Sequence, residues 1–443
     1  MSSLHLAYYG DDFTGSTDAL EFLTRAGVRT VLFTRPPSAG QIAGYPGLGA
    51  VGVAGFTRAL APDAMEQELR PAFAALAALA PRHVHYKVCS TFDSSPTVGS
   101  IGRAIEIGAD VFGGRFVPLV VGAPPLGRYC AFGNLFARFG IGSSGAIHRL
   151  DRHPAMSRHP VTPADESDLR LHLGRQTKKR VGLFDLLMLG QPELERRATL
   201  ERIIGGGAEI VLFDVLETEH LERVGGLLDP LGGAKPLFSV GSSGVEMALG
   251  ARWQAAGILK SPAPWKHPGA AEPLLVISGS CSPVTIAQIA WALRNGFVDV
   301  GIDPLAPAAE ARAAVDQAIG HLRAGRHVIV HSRPERSQVD RAAGANGAAV
   351  SASELGATLG RIGRDAVAAT GIRRLMVAGG DTSSYAARAL GIEAIEMIAP
   401  LAPGAPLCRA TAPASPIDGI EVNFKGGQVG AEDYFGAVAN GNT

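Results

Sequence analysis

Short apolar runs alternate with stretches of helical period from one end of this chain to the other. No other feature narrows its fold as much. Residues 51–54 (Val-Gly-Val-Ala) precede a helix-period segment over 63–79. Residues 83–88 lead through a polar turn into a segment carrying Ile101, Ile105 and Gly108 on one helical face, and apolar runs recur at 116–121, 181–187, 210–213 and 237–240. Such alternation predicts parallel sheet with helices on both faces. The pattern stops at 259–273, where Ser261-Pro262-Ala263-Pro264-Trp265-Lys266-His267-Pro268 is too proline-dense to continue a helix. It resumes at 274–277, 328–330 and 375–378. A chain of 443 residues exceeds one hydrophobic core. The expectation is therefore α/β: two three-layer α/β domains with largely parallel sheets and an interdomain cleft, spanning 1–258 and 274–443 about a linker at 259–273.

Charge and cysteine content exclude several functions. Lys+Arg and Asp+Glu are both 41, so no global field draws the chain to nucleic acid or anionic membrane. Apolar runs are too short to span a bilayer. Cys89, Cys130, Cys281 and Cys408 show no CxxC spacing, which argues against a disulfide framework or zinc site and for a reducing cytoplasm. No secretory signal is recognisable at the first strand.

Chemistry concentrates in the turns that follow the apolar runs. Residues 5–9 break into Gly10-Asp11-Asp12-Phe13-Thr14-Gly15, two adjacent acids between a strand and a helix start. Adjacent carboxylates repel, so they need a metal, a cation or a chemical task. A second turn carries Lys87, Ser90, Thr91 and Asp93, and a third carries Ser242 and Ser243. In a parallel sheet these loops meet at one edge, where ligands bind. Carboxylates there suit the hydroxyls of a polyol acid, with Lys87 and helix amides for its negative charge. Taken singly, each loop is equally well explained as a capped turn.

The second half repeats the arrangement with different residues. Ser278-Gly279-Ser280-Cys281-Ser282-Pro283 follows one apolar run, and Ala378-Gly379-Gly380-Asp381-Thr382 follows another. Paired glycines allow close backbone approach, and the helix amides behind them favour phosphate. Pro403-Gly404 and Lys425-Gly426-Gly427 could wall the same pocket. No GxxxxGK[ST] motif occurs. Gly47-Leu48-Gly49-Ala50-Val51-Gly52 matches GxGxxG, but a Tyr45-Pro46 turn precedes it and its last glycine falls in a strand, the wrong context for a dinucleotide. His148, His153 and His159 lie in a long irregular stretch without metal-ligand spacing. With Arg158 they either contact an anionic substrate or decorate a loop.

Taken in order, Asp11-Asp12-Phe13-Thr14-Gly15, Tyr86-Lys87-Val88-Cys89-Ser90-Thr91-Phe92-Asp93-Ser94, His159-Pro160-Val161-Thr162-Pro163, Ser278 to Ser282, Gly379-Gly380-Asp381-Thr382-Ser383, Pro403-Gly404 and Phe424-Lys425-Gly426-Gly427 resemble the four-carbon acid sugar kinase family. The Cys-Ser-Thr-Phe-Asp-Ser form of the second motif is similar to its 3-oxo-tetronate kinase branch. Gly10, Ala164 and the segment 122–130 depart from that branch. The resemblance implies an N-terminal sugar-acid domain, a C-terminal ATP domain and γ-phosphoryl transfer to a hydroxyl of a tetronate, with ATP and Mg2+ as cofactors. It is compatible with a symmetric homodimer.

On this reading Asp11 or Asp12 is the base. Thr14, Ser90, Thr91, Asp93, Ser242 and Ser243 join them around the sugar acid, with Lys87, Arg158 and His159 facing its charge. Ser278, Ser280, Ala378, Gly379, Gly380, Asp381, Thr382, Gly404, Lys425 and Gly426 hold ATP. No residue is assigned as a metal ligand, and no nucleic acid or membrane partner is expected. Two rivals share parts of this pattern: a two-domain sugar-acid binding protein, and an NAD-dependent sugar-acid dehydrogenase resting on the glycine match.

Overall fold

The computed structural model describes residues 4–139, 145–159, 161–233, 235–260, 262, 264–305, 307–332 and 352–442, without the Asp381 side chain. Pro160 and that side chain, both named above, lie outside the described set. The chain divides into two compact units: Met1–Val31 with Arg35–Ala263, and Leu32–Thr34 with Pro264–Thr443. No contiguous cut of the sequence reproduces that partition.

The first unit is built on β1 (Leu6–Gly10), β2 (Thr30–Phe33), β3 (Ala50–Ala54), β4 (His83–Lys87), β5 (Val117–Val120), β6 (Arg128–Ala131), β7 (Asn134–Arg138), β8 (Ile147–Arg149), β9 (Val181–Phe184), β10 (Ile210–Phe213) and β11 (Leu237–Gly241). Seven of these run parallel in the order β3-β1-β4-β11-β5-β10-β9. Side chains alternate across the sheet. Ala7 and Tyr9 join a core with Met65, Leu69 and Phe73 of the helix Pro62–Ala78 and with Ile101 and Ile105 of the helix Ile101–Phe112. Tyr8 points the other way, and its hydroxyl donates to the Ser16 carbonyl of the helix Phe13–Arg25 at 3.0 Å. Helices therefore cover both faces, as an all-parallel sheet requires.

Connections from β1 lead toward β3 on one side, whereas those from β4 lead toward β5 on the other. The sheet thus has a switch point between the carboxyl ends of β1 and β4, the place where open α/β sheets bind ligands.

The second unit contains β12 (Leu275–Ser278), β13 (Val298–Ile302), β14 (Val328–Ser332), β15 (Arg374–Ala378), β16 (Ala394–Ala402), β17 (Ala405–Thr411) and β18 (Glu421–Lys425). Their order is β13-β14-β12-β15-β18-β17-β16, parallel as far as β18 and antiparallel beyond it. Here the switch point falls between β12 and β15. Leu32 and Phe33 add to the outer edge of β16 by antiparallel pairing with Ile395 and Ala394. Added pairing of this kind caps an otherwise open strand edge.

Two local expectations need correction. The apolar run 181–187 is not all strand: β9 stops at Phe184 because Asp185 accepts the Met188 amide at 2.9 Å and starts the helix Leu186–Leu189. The stretch 148–159 is not irregular throughout, since Ile147–Arg149 closes the three-stranded antiparallel sheet β6-β7-β8 and two 3-10 turns follow. Pro403 and Gly404 form the reversal between β16 and β17, with Gly404 at φ +82°. That conformation is the reason for glycine there.

Candidate functional site

At the first switch point, Gly10 pairs in register with Lys87, and Lys87 with Gly241. The turns after β1, β4 and β11 are thereby drawn together. Asp12 is extended (φ −145°, ψ 170°) and caps the helix Phe13–Arg25, its Oδ1 accepting the Gly15 amide at 2.7 Å and its Oδ2 the Thr14 hydroxyl at 2.8 Å.

The cation required by two adjacent acids is Arg58, which the sequence reading missed. Its Nη2 lies 2.7 Å and its Nε 3.2 Å from the two oxygens of Asp11, and its Nη1 lies 2.9 Å from Asp12 Oδ2. Both aspartates are 2% exposed. Burial pushes the Asp11 carboxyl above its ordinary range while Arg58 pulls it back. A carboxylate offers about four lone-pair positions, so each acid keeps acceptor capacity beyond these bonds. Nothing in the sequence around Arg58 marks it; only the turn after β3 brings it over the pair.

Lys87 is buried, and its ammonium is already engaged. It donates to the Val88 carbonyl at 2.9 Å and pairs with Asp18 Oδ2 at 3.3 Å. Burial works to lower its pKa, but Asp18, Glu246 and Asp11 outweigh that and hold it above the usual lysine value. Ser243 donates to the same Asp18 oxygen at 2.6 Å, and Ser242 donates to the Val121 carbonyl at 2.7 Å. Both serines are fully buried, so their hydroxyls brace the loop.

Ser90 and Thr91 are buried as well, and Thr91 Oγ1 sits 3.0 Å from Cys89 Sγ. Phe92 has φ +58°, a left-handed conformation unusual for a bulky side chain. Strain of that sort concentrates at ligand sites. Thr91, Phe92, Asp93 and Ser94 line a small cleft together with Thr162, Glu166 and His172. Asp93 Oδ1 is buried there without a hydrogen-bond partner among the described residues. Arg158 is exposed, and His159 is half-buried with Nδ1 accepting the Thr162 amide at 3.1 Å. His153 likewise accepts two amides through Nδ1, at 3.2 Å each. These two histidines thus use one ring nitrogen to hold their own turns.

In the second unit Ser278, Ala378 and Lys425 stand in register at the ends of β12, β15 and β18. The Gly279 amide donates to the Ala378 carbonyl at 3.1 Å, and the Gly379 amide to the Lys425 carbonyl at 3.0 Å. Gly379 has φ +141°, and a Cβ there would lie 2.4 Å from Thr382 Oγ1; one on Gly279 would lie 2.6 Å from Thr382 Cγ2. Only glycine fits either position. Thr382 is buried, and the helix Gly380–Ala389 starts at Gly379 with no side-chain cap.

Lys425 is fully buried, and its ammonium donates to Thr285 Oγ1 at 2.9 Å. Burial pulls its pKa down to about 7. Among the described residues no carboxylate lies within ion-pair distance. Ser280 donates to Thr285 Oγ1 at 3.0 Å, and Ser282 bonds the Gly427 carbonyl. Gly426 is half-buried beside them, and its carbonyl accepts the Val429 amide at 3.3 Å. A buried lysine amid hydroxyls, glycines and uncapped amides fits the phosphates of a nucleotide.

The glycine match at 47–52 plays no such part. Gly52 lies inside β3, and a Cβ there would fall 2.2 Å from Tyr8 Cζ, so that glycine makes room for an aromatic ring. No disulfide joins any of the four cysteines. Among the described residues no cluster of three or more His, Cys, Asp or Glu could hold a metal, and no helix is long and apolar enough to cross a membrane.

Fold and strand-end turns together define a two-domain α/β protein with one polar, charge-paired ligand site and one phosphate-suited site. A sugar-binding N-terminal domain model matches residues 6–249, and a nucleotide-binding C-terminal domain model matches 275–435. The chain is 44% identical to a 3-oxo-isoapionate kinase of Paraburkholderia graminis over 99% of its length and 95% of the relative's. It is 32% identical to a 3-oxo-tetronate kinase of Methylobacterium radiotolerans over 98% of each chain. It is 30% identical to a 3-oxo-tetronate kinase of Pseudomonas savastanoi pv. phaseolicola, over 97% of this chain and 95% of that one. A crystal structure named for a tRNA synthase of Salmonella typhimurium LT2 superposes with TM-score 0.75 at 26% identity, covering 97% of each chain. The Haemophilus influenzae protein HI1011 shares the fold at TM-score 0.67 and 20% identity over 98% of each chain. The chain belongs to the four-carbon acid sugar kinase family.

Proposed function

We propose that this protein transfers the γ-phosphoryl group of ATP to a hydroxyl of a 3-oxo sugar acid, with the first unit taking the acid and the second the nucleotide. The observation that carries the reading is Lys425, a buried ammonium with hydroxyl but no described carboxylate neighbours at the end of β18. An unpaired buried charge is costly unless a ligand of opposite sign completes it. Support for a sugar acid comes from the relatives' names, with 3-oxo-isoapionate first because that relative stands at 44% identity against 32% and 30%.

Ser278, Ser280, Ala378, Gly379, Gly380, Thr382, Gly404, Lys425 and Gly426 are proposed to surround ATP, with Asp381 beside them. Mg2+, carried with the nucleotide, supplies neutralisation of phosphate charge. Asp11 or Asp12 accepts the proton of the attacking hydroxyl, and Arg58 keeps both acids in place. The reaction is assigned to the cytoplasm.

Two results test the residue roles. Asp12→Asn should lower kcat about 10²- to 10⁴-fold while leaving the KM for ATP within a few fold; unchanged kcat removes Asp12, and Asp11→Asn then decides whether its neighbour serves. Gly379→Ala should weaken ATP binding, followed by calorimetry, without weakening sugar-acid binding. Equal loss of both would mean that the sites are assigned to the wrong units. The reading as a whole is tested by ADP release over 3-oxo-isoapionate, 3-oxo-tetronate, threonate and erythronate. The highest kcat/KM is expected for 3-oxo-isoapionate, and ADP release with none of the four would overturn the proposal.

A further inference from the structure

Arg128 opens β6 within the segment 122–130, which the family motifs leave out. It is 5% exposed, yet no carboxylate among the described residues lies within ion-pair distance of it. Its Nη1 donates to three carbonyls, those of Leu126 at 3.1 Å, Gly127 at 3.3 Å and Arg138 at 3.1 Å. Its Nε is buried with no partner among the described residues, and no hydrogen bond to a described residue reaches Nη2. The Nη1 bonds fix the guanidinium plane and leave the Nε–Nη2 edge unused. That edge is the one that receives a carboxylate through two parallel bonds.

Asp93, in the loop after β4, and Asp18, in the helix Phe13–Arg25, both act on Arg128 electrostatically. Each of those acids also has one buried oxygen without a partner among the described residues, Oδ1 in both cases. Unsatisfied buried groups of opposite sign, coupled by charge but not bonded to one another, are expensive to maintain. A ligand bearing a carboxylate at one end and hydroxyls along its length would satisfy both sets. Lys87 is a poorer carboxylate receptor, because Asp18 and the Val88 carbonyl already occupy it.

We propose that Arg128 is the residue that binds the carboxylate of the sugar acid, with Asp93 accepting one of its hydroxyls. The assignment rests on the sugar-acid reading of the first unit. It places a specificity-determining residue in the segment that departs from the 3-oxo-tetronate branch.

The test compares wild type, Arg128→Gln and Arg128→Lys at saturating ATP, after melting curves have identified the folded variants. Arg128→Gln should raise the KM for the sugar acid about tenfold or more and leave the KM for ATP within twofold, with Arg128→Lys recovering part of the loss. A purely structural role would not change the discrimination between a tetronate and its neutral tetronamide, measured by calorimetry; Arg128→Gln should abolish that preference. A folded Arg128→Gln protein that keeps both the KM and the preference overturns the assignment. Should Arg128→Gln fail to fold, wild-type protein crystallised with threonate decides: a carboxylate on Nε and Nη2 supports the proposal, and one bound elsewhere refutes it. Wild-type protein that turns over no sugar acid defeats the kinase reading instead, and the binding measurements still judge Arg128.

Discussion

Replacing Arg58 by methionine should destabilise the first unit by about 3–5 kcal/mol and abolish turnover. The guanidinium is the shared counter-ion of Asp11 and Asp12, both buried, with three bonds between 2.7 and 3.2 Å. Its removal leaves two carboxylates a residue apart in a low-dielectric site. One of them must then take a proton, and a protonated acid is no longer a base. The pH dependence follows from the sign of the shift. Without Arg58 the folded-state pKa of Asp11, already raised by burial, rises further above its unfolded value, so the folded state binds more protons than the unfolded one across that window. Stability then falls as pH rises and recovers on acidification toward pH 5. Urea melts of wild type and variant between pH 5 and 8 measure this, and a loss that does not shrink at low pH would mean the two acids are not what Arg58 holds in check. Adding Asp11→Asn to the variant should restore part of the stability but none of the activity.

Lys425→Met should show the opposite combination, ATP turnover lost and stability kept or raised. A buried ammonium supported by Thr285 Oγ1 alone among described partners is a cost to folding, and methionine fills similar volume without charge. Sites built for ligands commonly trade stability for function in this way.

The folded pKa of about 7 lies below the unfolded lysine value. Both states are protonated below pH 7, and the full penalty is present there. Between about pH 7 and 10.5 the unfolded chain binds more protons, so wild-type stability rises with pH relative to the variant, and the gap closes. Phosphate favours the charged ammonium, so ATP binding to wild type should take up a proton and weaken as pH climbs from 7 to 9. Calorimetry in buffers of different ionisation enthalpy reads that uptake directly. ATP binding by Lys425→Met with wild-type affinity would remove this residue from the nucleotide site.

Much of the architecture was legible because apolar period reports directly on secondary structure. Most strands of the two parallel series had a visible apolar run, and the turns carrying Asp11, Asp12, Ser278 and Gly379 follow those runs immediately, but β13 (Val298–Ile302) and β18 (Glu421–Lys425) interleave polar residues and showed none. The antiparallel elements were less legible. β6, β7 and β8 are short and half-buried in a small sheet of their own, so they carry alternation too weak to separate from loop. The histidines at 153 and 159 illustrate a further limit, since whether a ring nitrogen holds a turn or a ligand depends on which amides fold beneath it.

Local sequence settled most of the parallel strands, the helices behind them and the turns at their ends, because backbone geometry and side-chain period are properties of neighbouring residues. It also determined the glycines at the nucleotide-suited turns and the pairing of two acids after β1. Tertiary structure alone decided what those groups face. Arg58, more than forty residues from the aspartates, closes over them; Asp18 and Ser243 occupy Lys87 and its partner; and Arg128 and Lys425 are left buried without a described counter-ion. Charge compensation acts through space between residues distant in the chain, and the order of strands in a sheet, which no local pattern encodes, sets who compensates whom.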